Sequence, residues 1–144
     1  MRRLALLLTT FGLLVAMSAS ALAGSPHFVR GPDVTTSGNT LTVTGSIAGL
    51  GNVDSAFFEL AGTVDVSSRC YTKSGNAPQA ANKQELVTVD QDGTFPVRNG
   101  RTNVVFTVTP LSTLRCPGGQ RVVIESLTYN LLLSGEGLSA AITS

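Results

Sequence analysis

Two cysteines and a single histidine set most of the chemistry open to this chain. A thiol becomes a nucleophile when a base within hydrogen-bond reach takes its proton. His27 is the one imidazole, and no sequence signature ties it to Cys70 or Cys116. A structural zinc site needs more sulfur and nitrogen ligands than three residues supply, and no CxxC spacing occurs. In an exported chain two cysteines meet an oxidising environment, and they allow one intramolecular connectivity. The expectation is a Cys70–Cys116 disulfide. Cys70 then acts as a staple, and it brings the loop Tyr71 to Lys83 and the segment Pro110 to Gln120 to one end of the fold.

The other candidates are weaker. An amino-terminal copper site needs histidine at the third position with a free amide before it. Cleavage after Ala23 puts His27 fourth, and a slip of one residue places Pro26, which has no N–H, in the second position. His27 therefore reads as a surface residue beside an edge strand. Asp90-Gln91-Asp92-Gly93 resembles the opening of a calcium loop, but the bidentate glutamate and further oxygens of the full loop are missing from Asn99 to Asn103. A tight hairpin turn is expected there. Glu59 and Asp65 share a strand face about 20 Å apart, too far for the roughly 5–9.5 Å of paired glycosidase carboxylates. The glycines of GSIAGLGN lack the Lys-Ser/Thr of a phosphate loop, and no GxSxG is present. No enzyme and no cofactor is expected; a small metal-dependent hydrolase using Asp90 and Asp92 is the catalytic alternative.

The elements that would hold these residues are strands. Thr40 to Ile47 alternates, with Leu41, Val43 and Ile47 on one face and threonines on the other. Ala48 to Asp54 supplies turn residues. In SAFFELAGTVDVSSRCY, Phe58, Leu60, Val64 and Val66 share a parity, and Cys70 falls in phase with them, pointing inward. Glu85 to Val89 reads as a strand, with Thr94 to Val97 beyond the turn. Asn99-Gly100 is a strong hairpin signal. Arg101 to Thr109 sends Val104, Phe106 and Val108 inward. Arg121 to Leu133 changes phase between Ile124 and Leu127, which a bulge near Glu125-Ser126 or burial on both faces explains. About seven strands in this length predict an all-β, antiparallel, immunoglobulin-like β-sandwich with one disulfide. A jelly roll or small barrel is the alternative. The tryptophan of antibody domains is absent, since the chain has none.

The N-terminus reads as a leader. Arg2 and Arg3 precede an apolar run from Leu4 to Met17, and Ala21-Leu22-Ala23 is a small-x-small cleavage site. Residues 1–23 are expected to be a signal peptide and residues 24–144 a single secreted domain. No cysteine follows the cleavage site for a lipid anchor, and GEGLSAAITS is not a hydrophobic tail. No membrane span remains after cleavage. Without Arg2 and Arg3, eight bases face nine acids, a net charge near −1 that does not favour nucleic acid.

Charge is unevenly placed. Arg69, Lys73, Lys83, Arg115 and Arg121 lie in or beside the two cysteine-bearing segments, whereas Asp33, Asp54, Glu59, Asp65, Asp90, Asp92, Glu125 and Glu136 lie mostly elsewhere. With the disulfide formed, one basic end on an otherwise acidic domain is expected, as a contact surface for an anionic envelope polymer or an extracellular protein. Against this stands the ordinary tendency of solvated loops to carry charge.

The order of signal peptide, SPHFV, SIAGLGN, a mid-chain cysteine, an NGR turn and CP before the last strand resembles a group of uncharacterised small secreted bacterial proteins. The resemblance implies export and a small β-domain, and it brings no activity, cofactor or site residues. The function expected is a non-catalytic binding module, extracellular or held at the cell envelope. The alternative is an extracellular enzyme inhibitor presenting Tyr71 to Lys83.

Overall fold

The computed structural model describes residues 24–76 and 82–144. The expected signal peptide lies outside the described residues, as do residues 77–81 of the loop after Cys70. Seven strands form: β1 (His27–Ser37), β2 (Thr40–Ala48), β3 (Ser55–Thr72), β4 (Asn82–Pro96), β5 (Thr102–Val108), β6 (Gln120–Gly135) and β7 (Leu138–Thr143). They pair antiparallel in two sheets, β1-β2-β5 and β4-β3-β6-β7. The first, second and fifth strands thus oppose the fourth, third, sixth and seventh, which is an immunoglobulin-like sandwich with β4 extending the second sheet.

Alternation builds the core. Leu41, Val43 and Ile47 of β2, Phe58, Leu60, Val64 and Val66 of β3, Val104, Phe106 and Val108 of β5, and Leu131 and Leu133 of β6 are buried between the sheets. Phe95 meets Phe58 and Phe106 edge-on, at centroid distances of 6.3 and 5.4 Å, a favourable arrangement of ring quadrupoles. Gly62 interrupts the apolar parity of β3 for a steric reason. A Cβ there would stand 2.2 Å from the Asn130 carbonyl oxygen, and its φ is +142°.

Two expectations concerning strands need correction. Asp90-Gln91-Asp92-Gly93 is not a turn, because β4 runs unbroken through it and pairs with β3 from Ser55↔Pro96 to Arg69↔Asn82. Gly93 faces inward opposite Phe58, and the Phe95 ring covers it so closely that a Cβ would lie 3.0 Å away. The glycine makes room for an aromatic ring instead of turning the chain. The second correction adds β1 and β7, which sequence patterning did not single out. The phase change in β6 is the expected bulge: Ser67 pairs with Ser126 and Ser68 with Ile124, leaving Glu125 as the extra residue.

Candidate functional site

The Cys70–Cys116 disulfide is formed, with a Cα–Cα distance of 5.6 Å. Cys70 is fully buried near the end of β3, and Cys116 lies in the connection between β5 and β6. The expected juxtaposition follows: Thr72 pairs with Gln120, and the Pro110–Gln120 segment crosses the end of the sandwich beside the β3–β4 hairpin. The strands reach further into the segment read from sequence as a loop. Tyr71 and Thr72 belong to β3, Asn82 and Lys83 to β4, and Thr72 closes a turn with Asn76 (N–H to carbonyl, 2.9 Å).

A second fastener, which the sequence did not reveal, is Glu85. Its carboxylate accepts from the Thr113 amide at 2.9 Å, from the Ser112 hydroxyl at 2.7 Å and from the Thr113 hydroxyl. Ser112 in turn contacts the buried Ser68 hydroxyl at 2.7 Å. The Ser68 hydroxyl also donates to the Lys83 carbonyl oxygen at 3.3 Å, so a polar group at a core position is satisfied. Lys83 completes the cluster, 3.0 Å from Glu85 and donating to the Thr113 hydroxyl. Hydrogen bonds from Thr113 and Ser112 stabilise the charged carboxylate and hold Glu85 down at about 2.

The bulge residue Glu125 does related work on the outer face. It pairs with Arg69 at 3.6 Å and accepts from the Tyr71 hydroxyl at 2.7 Å. The latter bond raises the Tyr71 phenol above its usual range, because ionisation would give up the proton it donates to Glu125.

These contacts sort the five expected basic residues. Arg69 and Lys83 are paired with carboxylates. Lys73, Arg115 and Arg121 are exposed, and none forms an ion pair among the described residues. Lys73 and Arg121 flank a shallow cleft of about 340 Å³ with Gly119 and Gln120. The Gln120 amide oxygen is buried and has no hydrogen-bond partner among the described residues. Leu111 and Val122, 73% and 39% exposed, add apolar ground between this end and the β1–β2 hairpin tip.

The rest of the domain is not uniformly acidic, which corrects the expected charge map. The other three lysines and arginines among the described residues, Arg30, Arg98 and Arg101, line one cleft at the opposite end. Between the two ends, the outer face of the larger sheet carries Glu59, Asp65, Asp90 and Asp92, with Glu59 directly opposite Asp92. Asp90 and Asp92 stand on an extended strand, not a calcium-loop backbone. Among the described residues no set of three or more His, Cys, Asp or Glu side chains converges for a metal ion. His27 opens edge strand β1 and is within 2.9 Å of the Ser25 carbonyl oxygen. No described helix is long and apolar enough to cross a membrane.

The class defined is therefore an immunoglobulin-like sandwich with a disulfide between a strand end and a cross-sheet connection. No protein-family model matches the chain, and no curated protein matches it.

Proposed function

We propose that this is a secreted, non-catalytic binding module that contacts an anionic envelope polymer through its disulfide-tied end. The observation that carries the reading is the division of labour among the bases there. Arg69 and Lys83 are consumed by Glu125 and Glu85 in holding the frame, while Lys73, Arg115 and Arg121 remain for a partner. The backbone beside these cations is fastened by the disulfide and the Glu85 hydrogen bonds, so the ordering cost of binding falls mainly on the side chains themselves. A formed disulfide fits an oxidising, extracellular setting, in keeping with the leader read in residues 1–23 and with the resemblance to small secreted bacterial proteins.

Co-sedimentation of the oxidised domain with the producing cell's envelope fraction tests this. Binding at low salt that is released at high salt is expected, since exposed charge contacts are screened. Absence of sedimentation at both salts would exclude an envelope partner.

A further inference from the structure

The opposite end of the sandwich holds a cleft of about 700 Å³, lined by Val29, Arg30, Ser46, Ile47, Pro96, Arg98, Arg101, Thr102 and Asn103. Three arginines line it, and no Asp or Glu is among its lining residues. None of the three arginines forms an ion pair among the described residues. The neutral groups point the same way. Ser46 donates its hydroxyl proton to the Asn103 side-chain oxygen at 2.7 Å, which leaves the Asn103 amide hydrogens without a partner among the described residues. The polar groups offered to a ligand are thus predominantly donors.

The backbone places these groups deliberately. Arg30 sits between two register shifts in β1, one after Phe28 and one before Asp33, and pairs with Ser46. Bulges of this kind re-aim a side chain at the cost of ladder bonds. Ser46 pairs in turn with Asn103, so Arg30, Ser46 and Asn103 cross three strands in a row. Arg101 is two residues before Asn103, and Arg98 faces Arg101 across the Asn99-Gly100 turn, their backbones exchanging bonds of 2.8 and 3.0 Å. Asn99 and Gly100 both have positive φ, 52° and 70°, as a two-residue hairpin requires. The hairpin tip is held in place: the Leu50 amide donates to the Gly100 carbonyl at 3.1 Å, and the buried Thr102 hydroxyl donates to the Pro96 carbonyl at 2.9 Å. Two arginines directly opposite each other weaken a strand pair, and their mutual repulsion is relieved by an anion between them.

We propose that this cleft binds a phosphomonoester carried on a sugar or polyol. Guanidinium forks match phosphate oxygens bidentately, and a dianion balances more of the triple positive charge than a phosphodiester or a carboxylate does. Val29 and Pro96 supply an apolar wall for a ring face, and the volume suits a ligand of that size. This site is separate from the disulfide-tied end, and it stands or falls independently of that surface.

Titration calorimetry with glucose 1-phosphate, inorganic phosphate and glucose tests the assignment. Glucose 1-phosphate is expected to bind, and glucose at least about tenfold more weakly, the loss of one or more charge-assisted hydrogen bonds. Arg101→Ala and Arg98→Ala should each weaken binding about tenfold or more, and Arg101→Lys should recover part of it because charge returns without the fork. All three arginines are exposed, so the variants are expected to melt like the parent, which circular dichroism checks. A phosphate-terminated dextran separates the sources: tighter binding than glucose 1-phosphate marks a polymer chain end, weaker binding a free sugar phosphate. No heat with glucose 1-phosphate at millimolar concentration would overturn the proposal. Binding indifferent to both arginine substitutions, or abolished instead by Lys73→Glu, would overturn it as well.

Discussion

Glu85 on β4 accepts a hydrogen bond from the Thr113 amide at 2.9 Å, joining the edge of one sheet to the connection that arrives from the other. The same carboxylate takes the Ser112 and Thr113 hydroxyls, and its side chain is only 12% exposed. Its pKa in the folded state, held at about 2 by those donors, lies below the ordinary value of a free glutamate. Folding therefore favours the ionised form. The stabilisation is fully present above the unfolded value of about 4.3 and is lost as pH falls through the folded one. Thermal melts of the parent and Glu85→Gln should differ at pH 6, converge progressively below about pH 4.3, and coincide only below about pH 2. A constant difference down to pH 2 would show that Glu85 acts by packing and not by charge.

Removal of the disulfide should be costly. The bridge spans 46 residues of sequence, and the chain-entropy relation gives about 4 kcal/mol for a loop of that length. Denaturant unfolding of the Cys70→Ala/Cys116→Ala variant measures it. The expected destabilisation is close to that figure, with protease nicking directed to the Pro110–Gln120 segment.

Gly62→Ala should destabilise by about 2 kcal/mol or more. The added methyl would meet the Asn130 carbonyl oxygen at 2.2 Å, and that oxygen is fixed backbone of β6. Denaturant midpoints for Gly62→Ala and for the exposed turn substitution Gly75→Ala separate this clash from a general glycine effect, since Gly75 has nothing within 4 Å.

Glu59 and Asp92 face each other across β3 and β4, and like charges so placed weaken the pair. Asp92→Lys should raise stability by roughly 0.2–1 kcal/mol, an effect that shrinks in high salt. Melts at two ionic strengths check both the sign and the salt dependence.

Much of this architecture was legible in residue order because the buried residues of β2, β3 and β5 recur mostly at every second position, and a period of two leaves one choice of face. Cys70 declared itself by falling in that phase, and the β6 bulge by breaking it. Asp90–Gly93 misled because Asp and Gly favour turns locally. The deciding influence was distant: Phe95 needs the space above Gly93, and β3 pairs continuously alongside. β1 was hidden by Gly31-Pro32 and two register shifts, which destroy alternation, and β7 by its serine and alanines. Missing β1 also concealed the second cluster of arginines, although Arg98 and Arg101 bracket a recognisable turn and Arg101 is in phase with Asn103. Glu85 gave no signal at all, because its partners lie 27 and 28 residues away in an irregular segment.

The most direct test of the disulfide-tied end as a contact surface is retention of the oxidised domain on immobilised dextran sulfate, read as the salt concentration that elutes it. Two variants with the same net-charge change are compared: Lys73→Glu/Arg115→Glu/Arg121→Glu at the disulfide-tied end, and Arg30→Glu/Arg98→Glu/Arg101→Glu at the far cleft. The expected result is that the first variant elutes without added salt while the second is retained close to the parent. Equal losses in both, or a greater loss in the second, would contradict a contact surface at the disulfide-tied end.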